Sequence, residues 1–199
     1  MKTIHCQQRL DVHADYDVIV AGAGPAGICA AVAAARQGAK VALVERYGVV
    51  GGNLTAGYVG PILGMVGRGT MRDELVRLLG VPDNDMIGIT GKAHDIERAK
   101  CVLAELIARE TIDVYLQSTV YDVIKEGDAV RGLLLATNEG PLALTARITV
   151  DATGDAVVSY LAGAAIEKGR DDGLMQPVTL EFTIDGVDDT RGVVCICLL

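Results

Sequence analysis

The chain has 199 residues, half of them apolar, and is long enough for one or two domains with a buried core. Its 26 acidic residues outnumber its 18 lysines and arginines, giving a formal net charge of −8. A protein that binds the phosphate backbone of nucleic acid needs the opposite sign, so we expect no nucleic-acid partner. The N-terminus mixes polar and charged residues where a signal peptide needs a continuous apolar core. We therefore expect a cytoplasmic protein.

The longest nearly uncharged run, residues 18–35, contains glycines and a proline near its start. We therefore do not expect it to span a membrane. No pair of cysteines has C-x-x-C spacing, which argues against a local iron–sulfur or zinc site and predicts no bound metal. The cysteines are interpreted as small buried residues in a reducing cytoplasm: Cys6, Cys29, Cys101, Cys195 and Cys197.

The first elements in chain order form a strand–helix–strand unit. Residues 16–22 and 39–45 have the composition of short buried parallel strands. Between them, the alanine-rich residues 25–37 predict a helix that ends before Gly38. Crossovers of this kind are right-handed and build parallel sheets.

The next segment, residues 46–69, is too rich in glycine for a helix or strand and predicts a long ordered loop. Thr70 then has the position of an N-cap, with Asp73 three residues later, for a helix that ends before Gly80. After Asp95, apolar residues recur at helical spacing and predict a second, better defined helix.

The remaining elements are mainly strands. A strand at 112–116 is followed by three β-rich runs separated by "KEGD" and "NEGP", which have turn chemistry and predict an antiparallel meander. The meander runs are 119–124, 130–136 and 142–150. A short helix at 156–163 and a further strand at 176–185 complete the prediction.

The stretch "AGAGPAG" between the first strand and the first helix suggests an anion site. It places the backbone N–H groups of residues 24–27 at a helix N-terminus, where amides lack intrahelical partners and the helix dipole is positive. Gly22 permits the tight turn, Gly24 lets phosphate approach the backbone, and Gly27 lets the helix lie close to the strand. The motif alone is weak, but the flanking strand and helix strengthen it.

An acid ends the second strand at the position expected for ribose recognition. The Glu45 carboxylate can accept hydrogen bonds from both ribose hydroxyls of an adenosine and would repel a 2′-phosphate. The neighbouring Arg46 leaves that second point open. We therefore predict a dinucleotide site, with glycine-based packing as the alternative.

Two long segments carry a family resemblance. "DVIVAGAGPAGICAAVAAARQGAKVALVERYGVVGGNLTAG" and "VDATGDAVVSYLAGAAIEKGRDDGLMQPVTLEFTIDGVD" resemble FAD-dependent oxidoreductases of the glutathione reductase and succinate dehydrogenase type. The chain is most similar to a bacterial group related to the flavoprotein subunit of heterodisulfide reductase. The resemblance spans residues 16–188. It implies an α/β fold: a Rossmann-like FAD-binding domain with a parallel sheet and an antiparallel three-stranded β-meander.

The resemblance also implies which residues bind FAD. The glycine turn, with Pro25 and Ala26, holds the pyrophosphate, while Glu45 and Arg46 lie at the ribose. Gly51 and Gly52 match a loop that runs past the pyrophosphate, and Asn53, Leu54 and Thr55 match the segment that approaches the flavin ring. Val120 matches the residue whose backbone pairs with adenine. Gly154 and Asp155 match a later flavin motif.

The residues themselves agree in part. The meander replaces the helical crossover of a plain NAD domain, and the 46–69 loop is longer than phosphate binding requires, so both favour FAD over NAD. Two alternatives stay open, a non-catalytic dinucleotide-binding module and an NAD-dependent dehydrogenase. No catalytic acid or base is identified. Three histidines and one tyrosine are weak candidates: His5, His13, His94 and Tyr58. His5 and His13 are weak because they precede the predicted fold.

The domain organisation follows from the same comparison. We expect an N-terminal extension at 1–15, a FAD-binding domain at 16–175 and the start of a substrate or cap domain at 176–199. Proteins of this family are about twice as long and use a C-terminal return segment to complete the flavin site, so we expect a fragment. Tight FAD binding and turnover by these residues alone are not expected. The partners predicted are a small-molecule substrate or an electron donor or acceptor, and a homo-oligomer stays open.

Overall fold

The computed structural model of the chain describes residues 9–62, 69–81, 94–178 and 180. Its centre is a six-stranded sheet in the order β3-β2-β1-β6-β5-β4. The strands are β1 (Val12–Ala21), β2 (Val41–Val44), β3 (Ile112–Tyr115), β4 (Thr119–Glu126), β5 (Ala129–Thr137) and β6 (Gly140–Asp151). The helices are α1 (Pro25–Arg36), α2 (Met71–Leu78), α3 (Ile96–Ala108) and α4 (Val157–Leu161), with a 3₁₀ turn at Gly52–Leu54.

The predicted strand–helix–strand unit is confirmed as β1–α1–β2. Proline is favoured in the first turn of a helix because the N–H it lacks has no intrahelical acceptor there, and Pro25 begins α1. Gly38 follows α1 with a φ of +83°, a left-handed conformation that glycine adopts without steric cost. β1 and β2 pair in parallel from Val18 opposite Val41 to Ala21 opposite Val44.

Strand β6 joins the parallel and antiparallel halves of the sheet. Its first half pairs antiparallel with β5, from Gly140 opposite Thr137 to Thr145 opposite Gly132. Its second half pairs in parallel with β1 and ends with Asp151 opposite Ala21. The predicted meander is confirmed, and its last strand carries the chain back to the end of β1.

The two faces of the sheet bury different clusters, as the alternation of side chains along a strand requires. Val20 and Leu43 face a cluster formed with α1, α2 and α3, in which Ile28 and Leu103 are fully buried. Ile19 lies in the second cluster, with side chains of the meander.

Tyr16 lies in the second cluster and is 3% exposed. Its hydroxyl donates to Asp113 Oδ2 at 2.8 Å and lies 2.7 Å from the Tyr115 hydroxyl. Burial, followed by these hydrogen bonds, raises the pKa of Tyr16. The phenol therefore stays protonated and ties β1 to the edge strand β3.

The helix caps agree with the sequence in one case and differ in the other. The Asp95 carboxylate accepts a hydrogen bond from Arg98 N and caps α3 as expected. Thr70 occupies the N-cap of α2, but its side chain makes no capping hydrogen bond. Asp73 instead accepts from Gly69 N at 2.6 Å, so the acid orders the turn without the threonine hydroxyl.

An ion-pair group joins the three longer helices. Arg36, at the end of α1, donates to Glu74 of α2 and to Glu110 just after α3, with N···O distances of 2.7 Å in both pairs. The hydrogen bonds to these two acids raise the pKa of the guanidinium. The arrangement fixes how α2 and α3 pack beside α1.

Several predictions about position are corrected. β1 begins at Val12, so His13 lies in the sheet and not before it, with its ring edge-on to Tyr115. Cys29 is half-buried, whereas Cys101 is exposed, contrary to the expectation that the cysteines are buried. Of the predicted strand at 176–185, residues 176–178 and 180 are described and are not in a strand. Its remaining residues lie outside the described part, as do Cys6, Cys195 and Cys197.

Candidate functional site

A pocket lies where the parallel strands β1, β2 and β6 end. The carboxyl ends of adjacent parallel strands meet at one edge of a sheet, which is the usual ligand-binding position in open α/β folds. The pocket has a volume of about 340 Å³. Residues from the turns after all three strands line it, together with residues at the start of β4.

The three glycines of the first turn meet different surroundings. Gly22 has a φ of +93°, and a Cβ there would lie 2.4 Å from the Ala152 carbonyl oxygen. A Cβ on Gly27 would lie 1.8 Å from the Gly22 carbonyl oxygen, so Gly27 serves close packing of α1. A Cβ on Gly24 would meet no atom within 4 Å, although Gly24 lines the pocket. Gly24 therefore leaves space for a ligand, whereas the other two leave space for the protein.

The amides at the start of α1 form the positive end of this helix. No acidic side chain lies in its first turn, and the N-cap residue, Gly24, has no side chain that could accept hydrogen bonds from these amides. The expectation that all residues from 24 to 27 donate amides needs one correction, because proline has no N–H. The donors at this end are the N–H groups of Gly24, Ala26 and Gly27, and Pro25 contributes its fixed φ.

The Glu45 carboxylate points towards the glycine turn. The side chain is 5% exposed, its Oε2 accepts from Ala23 N at 2.8 Å, and its Oε1 accepts from Tyr47 N at 2.9 Å. Each carboxylate oxygen has a further lone pair, so the group can still accept hydrogen bonds from ligand hydroxyls. Glu45 thus joins the turn after β1 to the turn after β2, a role that the sequence did not predict.

Replacing Glu45 by glutamine should lower the free energy of unfolding and loosen the two turns that Glu45 joins beside the pocket. The amide has one oxygen and one NH₂, so one of the two backbone N–H groups would face a donor. Leaving a buried donor unpaired costs about 1–3 kcal/mol of unfolding free energy. Denaturant unfolding measures this loss. Glu105→Gln, an exposed change on α3 whose partner is Arg109, is the matched control. Equal stability of the two variants would contradict the role assigned to Glu45.

The far wall of the pocket combines residues that were predicted with others that were not. Arg46 and Val120 line it, as expected. Tyr47 also lines it, and the Arg46 guanidinium lies 4.8 Å from the centre of the Tyr47 ring. Ser118 and Thr119 complete this wall, and Ser118 N donates to the Glu45 carbonyl oxygen at 2.9 Å. Their positions depend on pairing between distant strands, which no local pattern in the sequence indicates.

The glycine pair packs against the first turn. Gly51 N donates to the Ala23 carbonyl oxygen at 2.7 Å. Gly52 has a φ of +54°, and a Cβ there would lie 2.9 Å from Gly24 Cα. Gly52 and Asn53 line the pocket, whereas Gly51 does not.

The next two residues turn inwards. Leu54 is 7% exposed and belongs to the core beside α1. Thr55 is fully buried, and its hydroxyl donates to the Val50 carbonyl oxygen at 2.7 Å. Neither side chain lines the pocket. The structure therefore gives both a packing position, and their approach to the flavin stays a prediction.

The turn after β6 forms another wall. Ala152, Thr153, Gly154 and Val157 line the pocket, and only Gly154 was predicted. Asp155 is exposed and lies outside the lining. The signal for Ala152 and Thr153 was available in the "DATGD" stretch, since residues that follow a parallel strand lie at the ligand-binding edge.

Asp151 carries a network of hydrogen bonds at this turn. Burial acts to raise the pKa of the Asp151 carboxyl, but hydrogen bonds from Ser159 and Thr153 outweigh burial and hold the pKa below its ordinary value of 3.8. The ionised form is therefore the one that the folded state stabilises.

The pH dependence of stability should show this linkage. Because the folded pKa is lowered, Asp151 stabilises the fold above about pH 4 and loses that contribution as the pH falls through its folded pKa. Asp151→Asn should reduce the unfolding free energy at pH 7 by about 1–3 kcal/mol. It should also flatten the decline below pH 4. Unfolding curves at several pH values measure both effects, and parallel curves for wild type and variant would contradict this linkage.

The weak catalytic candidates lie outside the pocket lining. His94 is buried, and its Nε2 lies 2.8 Å from the Leu54 carbonyl oxygen. A carbonyl oxygen only accepts, so Nε2 carries the proton and His94 holds the loop after the glycine pair. Tyr58 is 39% exposed and has a φ of 57°. His5 lies outside the described residues.

The geometry defines a class of protein before any comparison is made. A glycine turn opening a helix, an acid after the second strand and a pocket at the strand ends are the parts of a Rossmann-like dinucleotide-binding domain. A family model described as FAD dependent oxidoreductase matches residues 17–197. The chain therefore belongs to the FAD-dependent oxidoreductase family, and the predicted family, fold class and cofactor are confirmed.

This chain matches only part of the length of each relative. The chain is 33% identical over 165 residues to a thiamine thiazole synthase of Desulfosudis oleivorans, covering 75% of this chain and 60% of that protein. It is 29% identical to the thiamine thiazole synthase of Methanoculleus marisnigri, covering 79% of this chain and 66% of that protein. The chain thus spans about two thirds or less of these relatives.

Solved structures agree on the fold. The crystal structure of THI4 from Thermovibrio ammonificans matches with a TM-score of 0.57 at 26% identity, over 74% of this chain and 61% of that chain. A geranylgeranyl bacteriochlorophyll reductase-like protein of Thermoplasma acidophilum matches with a TM-score of 0.55 at 22% identity, over 75% and 42% of the two chains. The second match supports the fold alone.

Two features are absent from the part of the chain that the structure describes. None of the helices in residues 9–62, 69–81 and 94–178 has the length and apolar character needed to cross a membrane. No group of three or more His, Cys, Asp or Glu side chains in the same ranges is arranged to hold a metal ion.

Proposed function

We propose that the pocket binds the adenosine diphosphate part of FAD. The observation that carries this proposal is the space at Gly24: a Cβ there would meet nothing within 4 Å, at a helix N-terminus and inside the pocket. Pyrophosphate fits the amides of Gly24, Ala26 and Gly27 because they lie at the positive end of α1. The ribose fits Glu45, whose carboxylate faces this turn.

The adenine fits the far wall. Val120, Thr119 and Tyr47 line the pocket. The aliphatic Val120 and the Tyr47 ring suit a planar base, and Arg46 lies over the same ring. Gly52, Asn53 and Gly154 also line the pocket, and we assign the approach to the flavin to residues 51–55 and 154–155.

The chemistry would come from the cofactor. Bound FAD supplies hydride or electron transfer, and the chain holds it, orients it and limits its contact with water. We propose a small-molecule substrate, acted on in the cytoplasm as part of a flavin-dependent oxidation or reduction. The sequence predicts an extension at 1–15, a FAD-binding domain at 16–175 and the start of a substrate domain at 176–199; because β1 begins at Val12, we propose that the FAD-binding domain starts at residue 12.

Titration with FAD and with NAD tests the proposal. The purified chain should bind FAD measurably although not tightly, seen as a change in flavin absorption and fluorescence, and NAD should compete poorly. Tighter binding of NAD than of FAD would favour a dehydrogenase. Stoichiometric binding of FAD that no electron-donor substrate reduces would favour a non-catalytic module.

A further inference from the structure

The end of strand β6 holds a side chain whose hydrogen bonds lead into the pocket. Asp151 Oδ1 accepts from Thr153 N at 3.2 Å and from Thr153 Oγ1 at 2.7 Å. Its Oδ2 accepts from Ser159 N and Ser159 Oγ, both at 2.8 Å. The two oxygens therefore hold different elements: one holds the turn at 152–156, called the β6 turn below, and the other holds α4.

The β6 turn needs this support. Ala156, the residue before α4, has a φ of +54°, a left-handed conformation that is unfavourable for a residue with a Cβ. The Thr153 hydroxyl, which donates to Asp151, accepts in turn from Val157 N at 2.9 Å. The carboxylate, the threonine and the first amide of α4 thus form one chain of hydrogen bonds across the strained residue.

The β6 turn is also in direct contact with the glycine turn after β1. Ala152 N donates to the Ala21 carbonyl oxygen at 2.8 Å. The Ala152 carbonyl oxygen lies 2.4 Å from the position of a Cβ on Gly22, and the Ala152 Cβ lies 3.3 Å from the position of a Cβ on Gly27. The width of the pocket between the two turns depends on where residues 152–154 lie.

We propose that Asp151 is a positioning residue for the dinucleotide site: through Thr153 it holds the β6 turn at a fixed distance from the glycine turn, so that both turns contact one ligand. This inference rests on the proposed function, because it assumes that the pocket binds FAD. Asp151 itself does not line the pocket. It acts through Thr153, which does.

A set of four variants and one control separates positioning from simple helix capping. Thr153→Val breaks the arm that leads to the pocket, Thr153→Ser keeps the hydroxyl, and Asp151→Asn perturbs both arms because asparagine keeps only one acceptor oxygen. Ser159→Ala breaks the arm that leads to α4. Asp128→Asn, at the exposed hairpin between β4 and β5, is the control for loss of a carboxylate. FAD affinity is measured by fluorescence titration and stability by thermal unfolding.

We expect some variants to lose FAD affinity and Ser159→Ala to lose stability alone. Asp151→Asn and Thr153→Val should bind FAD about tenfold more weakly, the loss expected for one charge-assisted hydrogen bond. Thr153→Ser and Asp128→Asn should bind like wild type. Ser159→Ala should lower the melting temperature as much as Thr153→Val, with an affinity near that of wild type.

Two results would overturn the inference alone. The first is wild-type FAD affinity in folded Thr153→Val, and the second is equal affinity losses in Thr153→Val and Ser159→Ala at equal stability. If Asp151→Asn does not fold, the Thr153→Val and Thr153→Ser pair decides the question. Failure of wild type to bind FAD would overturn the proposed function and this inference with it, whereas binding unaffected by these variants overturns the inference alone.

Discussion

Replacing Gly24 by valine should abolish FAD binding while the chain stays folded. Gly24 has a φ of −72° and a ψ of −175°, an extended conformation that a β-branched residue adopts readily. A Cβ there meets no protein atom within 4 Å, so the side chain would enter the pocket without disturbing the core. We expect FAD affinity to fall at least about 100-fold, equivalent to about 2.7 kcal/mol.

Fluorescence titration and thermal unfolding measure the two parts of this prediction. Gly48→Val is the matched control, because Gly48 is exposed, its added Cβ would meet Gln117 at an ordinary 3.7 Å, and it does not line the pocket. The control should bind FAD like wild type. A folded Gly24→Val variant that keeps wild-type affinity would show that the ligand lies elsewhere.

Replacing Gly27 by alanine should have the opposite effect and damage the fold. Helix propensity alone predicts a gain of up to about 1 kcal/mol for this change. The added Cβ would lie 1.8 Å from the Gly22 carbonyl oxygen, a backbone atom held by the sheet. Helix α1 would have to move away from β1, and overpacking of this severity costs about 3 kcal/mol or more.

Denaturant unfolding decides between these two effects because they differ in sign. Gly24→Ala is the control within the same motif, since its Cβ has open space. We expect Gly24→Ala to unfold near the wild-type midpoint and Gly27→Ala to unfold at a much lower denaturant concentration. A Gly27→Ala variant as stable as wild type would refute the close packing of α1 on β1.

The sequence predicts the glycine turn after β1 from local rules, because this part of the chain depends on backbone conformation. Gly22, Gly24 and Gly27 were each assigned a distinct role, and local turn and helix rules suffice to place them. The meander was also predictable, since turn residues separate its strands. In both cases the evidence lies within a few residues of the feature that it predicts.

Other parts of the site depend on long-range pairing. The parallel alignment of β6 with β1 brings Ala152 against Gly22, across about 130 residues of chain. No local pattern specifies the contact between Ala152 and Gly22 or the position of Ser118, whereas the place of Thr153 after a parallel strand could have been predicted from "DATGD". Leu54 and Thr55 rest on the resemblance, which implies that their segment approaches the flavin; their side chains are buried beside the 3₁₀ turn at Gly52–Leu54, and the approach of this segment to the flavin stays a prediction.

Glu45 combines both kinds of information. Its position at the end of β2 was sufficient to predict a polar role at the ribose. Its hydrogen bonds to Ala23 N and Tyr47 N show that the same carboxylate also stabilises the two turns around it. The proposed ribose contact would link binding to folding at this residue, so stability is to be measured alongside affinity in its variants.

Competition for bound FAD tests most directly whether the pocket holds the adenosine diphosphate end of the cofactor. FAD is bound to the chain and displaced by ADP in one titration and by FMN, which lacks the adenosine part, in another. We expect ADP to displace FAD and FMN to have little effect at the same concentration. Displacement by FMN with no effect of ADP would contradict the assignment of this pocket.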